Sequence, residues 1–197
     1  MNARMTTRMN ARMKLQLKAA ALAFAAALAA AGCTSLTPNP FPPIYPQWTD
    51  YQSRQARHYA NFPGKTKQSL KESRSTGGQK VDTYLRELQL GDRYYGTAWT
   101  LVGGQQSPAA AARLLEIASA EALKVEPGST FVDKHPVTVD GIPGLTYIVD
   151  MPQSKTRLRQ QIFLVTGVLV EQTYTGPAGT EMEREPGRFF DSLKLLP

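Results

Sequence analysis

From Trp48 onward the apolar residues recur mainly at every second position, the period of a half-buried strand. Residues 56–62 (ARHYANF) read as a short amphipathic strand that ends at the turn signal Pro63-Gly64. Residues 67–75 are polar and suit an exposed edge strand. Residues 79–90 (QKVDTYLRELQL) place Val81, Thr83, Leu85 and Glu87 on one strand face, whereas a helix would group Val81, Leu85 and Leu88. The flanking Gly pairs and the strand that follows favour β. Residues 93–102 (RYYGTAWTLV) are aromatic and β-rich, a strand that Gly103-Gly104 closes.

The period then changes. Ser107-Pro108 supplies an N-cap followed by proline at the first helical position. Ala112, Leu115, Ala118, Ala122 and Leu123 follow at helical spacing, and Pro127-Gly128 ends the run. Alternation resumes over 129–139, 144–151, 157–166 and 168–175, with turns at Asp140-Gly141 and Thr166-Gly167. Strands joined by such short turns are antiparallel. Near the end, Thr180–Glu183 fits a capping box, or Pro186 opens a shorter helix. Either reading makes residues 188–192 helical, with Phe189 or Phe190 turned inward. The expected class is α+β, helices laid on an antiparallel sheet.

Ahead of this domain (residues 48–197) the pattern is different in kind. Residues 1–18 carry Arg4, Arg8, Arg12, Lys14 and Lys18 and no acid, and Ala19–Ala31 is an unbroken apolar run of 13 residues. A basic segment, a short apolar core and a small-residue junction describe a secretory signal peptide over 1–32. The run is too short to span a bilayer, which takes about 20 residues. Residues 1–12 are a low-complexity repeat, and a start at Met13 would leave a signal of more ordinary length. Residues 33–47 follow as a linker. Its stretch TPNPFPPIYPQ is an extended, stiff spacer that would hold a folded domain away from a surface.

The segment Leu28-Ala-Ala-Ala-Gly32-Cys33 resembles the lipobox of bacterial lipoproteins, with Ala30 where Leu is usual. The resemblance implies a lipid anchor on Cys33. Thr34 rather than Asp after it implies the outer membrane, facing the periplasm. A second resemblance spans residues 56–196. Phe62-Pro-Gly-Lys65, a long helix after the third or fourth strand, Asp140-Gly-Ile-Pro-Gly144 and Arg188-Phe-Phe-Asp-Ser-Leu193 look like the PsbP-like superfamily. That group includes an extrinsic photosystem II protein, small bacterial envelope lipoproteins and a eukaryotic Ran-binding factor. It implies an antiparallel sheet packed between helices and no shared activity.

Charge changes meaning once the leader is set aside. The whole chain has 23 Lys+Arg against 16 Asp+Glu, a net charge of +7 that invites a nucleic-acid reading. Removing the five basic residues of 1–32 leaves 18 against 16, and no nucleic-acid partner is expected. A single cysteine excludes a disulfide framework. His58 and His135 are the only histidines, and no residue pattern calls for a metal or cofactor. No nucleophile–base motif is present. Glu181, Glu183 and Glu185 suit a helix start, and Val102-Gly-Gly-Gln-Gln-Ser-Pro108 lacks the lysine of a phosphate loop.

Two basic patches remain. One is Arg54, Arg57, Lys65, Lys67, Lys71, Arg74 and Lys80; the other is Lys155, Arg157 and Arg159, the expected interaction patch. Either suits an anionic envelope component or an acidic protein partner, and lysines also protect an edge strand from stray pairing. The reading is a non-enzymatic envelope lipoprotein with an accessory or binding role. The alternative is a module that binds a small amphipathic or anionic ligand between sheet and helix.

Overall fold

The computed structural model describes residues 47–74, 80–104 and 106–196. The signal peptide, Cys33 and nearly all of the Pro-rich linker lie outside the described residues.

The alternating segments all become strands. These are β1 (Thr49–Ser53), β2 (His58–Phe62), β3 (Lys67–Arg74), β4 (Lys80–Leu90), β5 (Arg93–Leu101), β6 (Thr130–Val139), β7 (Ile142–Met151), β8 (Thr156–Val165), β9 (Val168–Pro177) and β10 (Lys194–Leu195). Helix α1 (Pro108–Glu121) follows β5 and helix α2 (Arg184–Asp191) follows β9. Seven strands form one antiparallel sheet in the order β3-β4-β5-β9-β8-β7-β6, and β1-β2-β10 form a second, smaller one. The long helix therefore follows the fifth strand rather than the third or fourth. The additional strands are short, and they build the smaller sheet.

Helix α1 packs on β7 and β8. Ser107 caps it by accepting a hydrogen bond from the Ala110 N–H, as its sequence predicts. The buried stripe is Leu114, Leu115, Ala118 and Ala122, while Ala112 is exposed. The leucine next along the stripe hides more apolar area than an alanine methyl, and it sets the rotation of the helix. Below it lie Leu145, Tyr147 and Val149 of β7 and Leu158 and Ile162 of β8.

The opposite face of the large sheet carries α2 and the small sheet. Phe189 packs among Phe62 of β2, Tyr95 of β5 and Tyr174 of β9. Gln172 Nε2 donates to the Phe189 carbonyl at 2.8 Å, and Gln161 Nε2 to the Phe190 carbonyl at 3.2 Å. They join the Ser192 hydroxyl on the Phe189 carbonyl and the Leu193 N–H on the Phe190 carbonyl, which close the end of the helix. Thr180–Glu183 does not form a capping box. Glu183 takes the N-cap position with no side-chain bond, and the Thr180 hydroxyl is taken up by the Pro177 carbonyl at 2.7 Å and the Tyr174 hydroxyl at 2.6 Å.

One row on this face crosses all seven strands in register. It runs Val137, Gly144, Phe163, Val170, Trp99, Tyr84, Leu70. Gly144 is the gap that lets the Phe163 ring lie down. A Cβ there would stand 2.3 Å from Phe163 Cδ1 and 2.6 Å from the Ile162 carbonyl oxygen. Gly144→Ala should therefore cost roughly 3 kcal/mol, at the upper end of overpacking penalties, because backbone as well as ring must move. Urea unfolding of the variant checks this, and a loss under about 1 kcal/mol would show that the ring is not so confined.

Candidate functional site

The β7–β8 hairpin carries the three cations singled out from sequence. Lys155 sits exposed in its turn at φ 57°, in the left-handed region. Arg157 faces Asp150 across the hairpin, donating from Nε to Oδ1 at 3.0 Å. Its Nη1 donates to Glu181 Oε1 at 2.7 Å. Glu181 Oε2 accepts from the Gly179 N–H at 2.8 Å. Burial opposes ionisation of Glu181, but the Arg157 contact and the N–H bonds outweigh it and hold the carboxyl below its ordinary range. Arg159 lies over the Phe190 ring at 4.2 Å and donates to the Glu181 carbonyl at 3.3 Å.

The patch is thus a junction between the hairpin, the loop after β9 and helix α2. Arg157 is neutralised by two carboxylates, and Arg159 is half-buried on an aromatic face. Burial pulls the Arg159 guanidinium below its ordinary value, against the pull of Asp191 and Glu181. Lys155 projects its charge to solvent.

The other acids of the cluster part company. Glu183 pairs with Arg93 at 2.7 Å, with Glu185 at 4.0 Å from the same guanidinium. The two histidines are far apart in environment. His58 is fully buried, its Nε2 3.1 Å from Thr97 Oγ1. Burial lowers its pKa to about 4. His135 is exposed on edge strand β6 beside Asp133. At the Gly103-Gly104 loop, Gln106 Nε2 donates to both glycine carbonyls. In the first basic patch, Lys80 bridges Glu72 and Asp82 on the sheet surface.

A buried polar chain lies on the α1 side of the sheet. Tyr147 donates to Gln160 Oε1 at 2.7 Å, and Gln160 Nε2 to Glu171 Oε2 at 2.7 Å. Burial raises the Glu171 pKa to about 8, with the Gln160 bond working the other way. Glu171 Oε1 has no hydrogen-bond partner, nor have the hydroxyls of Thr173 and Thr175, further along the same face of β9. Its signal in the sequence is a Glu at an inward position of the strand VLVEQTYT. Among the described residues, no three His, Cys, Asp or Glu side chains gather as a metal site. Nor is any described helix long and apolar enough to cross a membrane.

No family model and no curated protein matches this chain. Solved structures do. The solution structure of cyanobacterial PsbP (CyanoP) from Synechocystis aligns with TM-score 0.54 at 9% identity, over 84% of this chain and 98% of that one. The fold is PsbP-like. A Pseudomonas aeruginosa protein of unknown function, PA94, aligns with TM-score 0.41 at 14% identity, over 76% of this chain and 96% of that one. The PsbP-like architecture agrees with the expectation from Asp140–Gly144 and Arg188–Leu193. The structure gives these motifs structural work. Gly144 admits the Phe163 ring. Asp140 Oδ2 accepts the Leu195 N–H at 2.8 Å. Phe189 and Phe190 fill the core under α2.

Proposed function

We propose that this chain is a non-enzymatic lipoprotein of the bacterial cell envelope. Lipid on Cys33 anchors it in the outer membrane, and the Pro-rich spacer presents the PsbP-like domain to the periplasm. Its role is accessory, binding a protein or an anionic component of the envelope. The observation that carries this reading is the order of parts in the sequence: basic segment, apolar run, Gly32-Cys33, proline spacer, domain. The domain's own chemistry supports it. Arg157, Glu181, Glu183 and His58 hold the fold together through bonds to other elements or through burial.

A second reading, a module for a small amphipathic ligand, draws on the unpartnered oxygens of Glu171, Thr173 and Thr175 on the α1 side of the sheet. Two experiments test these readings. Cys33→Ala should abolish acyl labelling and leave an unprocessed precursor, and normal labelling would sink the lipoprotein reading. Mass spectrometry of the detergent-extracted native protein reports what travels with it. A protein partner supports the first reading and a stoichiometric small molecule the second.

A further inference from the structure

The two edges of the large sheet are built differently. Both edge strands carry charged residues, but only β6 is blunted by a register shift, between Phe131 and Asp133, and by a proline, Pro136. These are devices that prevent another chain from adding to an edge. Strand β3 pairs with β4 over eight consecutive residues without a bulge and, among the described residues, has no neighbour on its other side. Its middle residue, Leu70, is 49% exposed.

Leu70 is also the open end of the row that crosses the sheet. Phe163 and Val170 are fully buried, Trp99 is 4% exposed, and Tyr84 stacks on Trp99 at 4.1 Å. Leu70 stands directly opposite Tyr84. The apolar row therefore runs from the core to the edge and stops at a leucine in water. An apolar side chain from a second strand on this edge would continue the row.

We propose that β3 is the interface of a symmetric dimer, in which two copies pair antiparallel about a two-fold axis through Leu70. The sequence of the strand selects this occupant and this register. With the axis at Leu70, Leu70 meets its own copy, Gln68 faces Glu72, and Ser69 faces Lys71. No like charges among these stand opposite each other. Moving the axis one residue to Lys71 sets Lys71 against Lys71. Moving it to Ser69 sets Lys67 against Lys71. Like charges directly opposite destabilise a strand pair, so the leucine register is favoured over both neighbours. The contact is isologous and closes on itself, giving a dimer rather than a fibre. The bulged β6 edge then terminates the joined sheet on both sides.

A site-specific disulfide tests this without unfolding the domain, using the full-length chain extracted in detergent. Opposed residues in an antiparallel pair have Cα atoms about 4.5–5.5 Å apart, within the span of a disulfide. Leu70→Cys should therefore cross-link two copies under mild oxidation. In Gln68→Cys the two thiols lie four residues apart along the strands, roughly 14 Å, beyond reach. Disulfide dimer should exceed that of Gln68→Cys on the order of ten-fold. The unsubstituted chain reports any contribution of Cys33, so an unlipidated cysteine is recognised separately from the dimer. Sedimentation should give two copies for the native chain and one for Leu70→Lys, with unchanged circular dichroism. A single-copy native chain with equal, low cross-linking at both positions overturns the proposal. So does cross-linking of Leu70→Cys to a different protein in the envelope.

Discussion

Phe189→Ala is expected to cost roughly 3–5 kcal/mol, the range for deleting a fully buried aromatic ring. The ring has no exposed surface. Its centroid lies 5.0 Å from Phe62, 5.4 Å from Tyr95 and 5.5 Å from Phe190. Phe62 belongs to the small sheet, Tyr95 to the large sheet and Phe190 to α2. One side chain therefore joins three elements, and none of them can collapse into the gap without losing contacts elsewhere. A domain of about 150 residues loses roughly 3 °C of melting temperature per kcal/mol, so the variant should melt about 10 °C lower or more. Phe189→Leu should keep most of the stability by filling much of the same volume. Thermal and urea unfolding measure both. A loss under about 1 kcal/mol for the alanine variant would mean that α2 is an accessory rather than part of the core.

The large sheet was legible because its strands alternate strongly and their turns are short. Leu145, Tyr147 and Val149 appear on one face in the sequence and lie on one face in the fold. Helix α1 was legible from Ser107-Pro108, a local signal. What the sequence did not reveal depends on partners far away along the chain. Strand β1 is polar at every position but Tyr51, TDYQS, and β10 is only two residues long. Neither has a period to read, and β10 pairs with β2 only after the chain has closed over the sheet. The basic hairpin shows the same limit. Lys155, Arg157 and Arg159 read as a free patch because Glu181, the acid that engages Arg157, lies 24 residues away. The capping box failed for the same reason, since the Thr180 hydroxyl is bonded to Tyr174 and the Pro177 carbonyl, and the Glu183 carboxylate to Arg93 on β5.

Stability should be greatest between about pH 4.5 and 6.5 and should fall towards pH 8, because two buried groups act in opposite senses. Glu171 is 3% exposed, and its pKa rises from the ordinary 4.5 to about 8. The folded state thus binds a proton more tightly than the unfolded chain, so stability decreases as pH rises from 4.5 to about 8. His58 is fully buried, and its pKa falls from 6.5 to about 4. The unfolded chain binds that proton more tightly, so stability increases as pH rises from about 4 to 6.5. Each group contributes about 1.4 kcal/mol per pH unit inside its window. Between 4.5 and 6.5 the two slopes cancel. Above 6.5 only Glu171 acts, and the fold should lose roughly 2 kcal/mol by pH 8. Glu171→Gln keeps the shape and cannot ionise. Its advantage over the native chain should be near zero at pH 4.5 and grow to roughly 5 kcal/mol at pH 8. Unfolding free energies from urea melts across this range are the measurement. If the two proteins lose stability in parallel above pH 6.5, Glu171 is not the group that titrates, and its unpartnered oxygen is satisfied in solution.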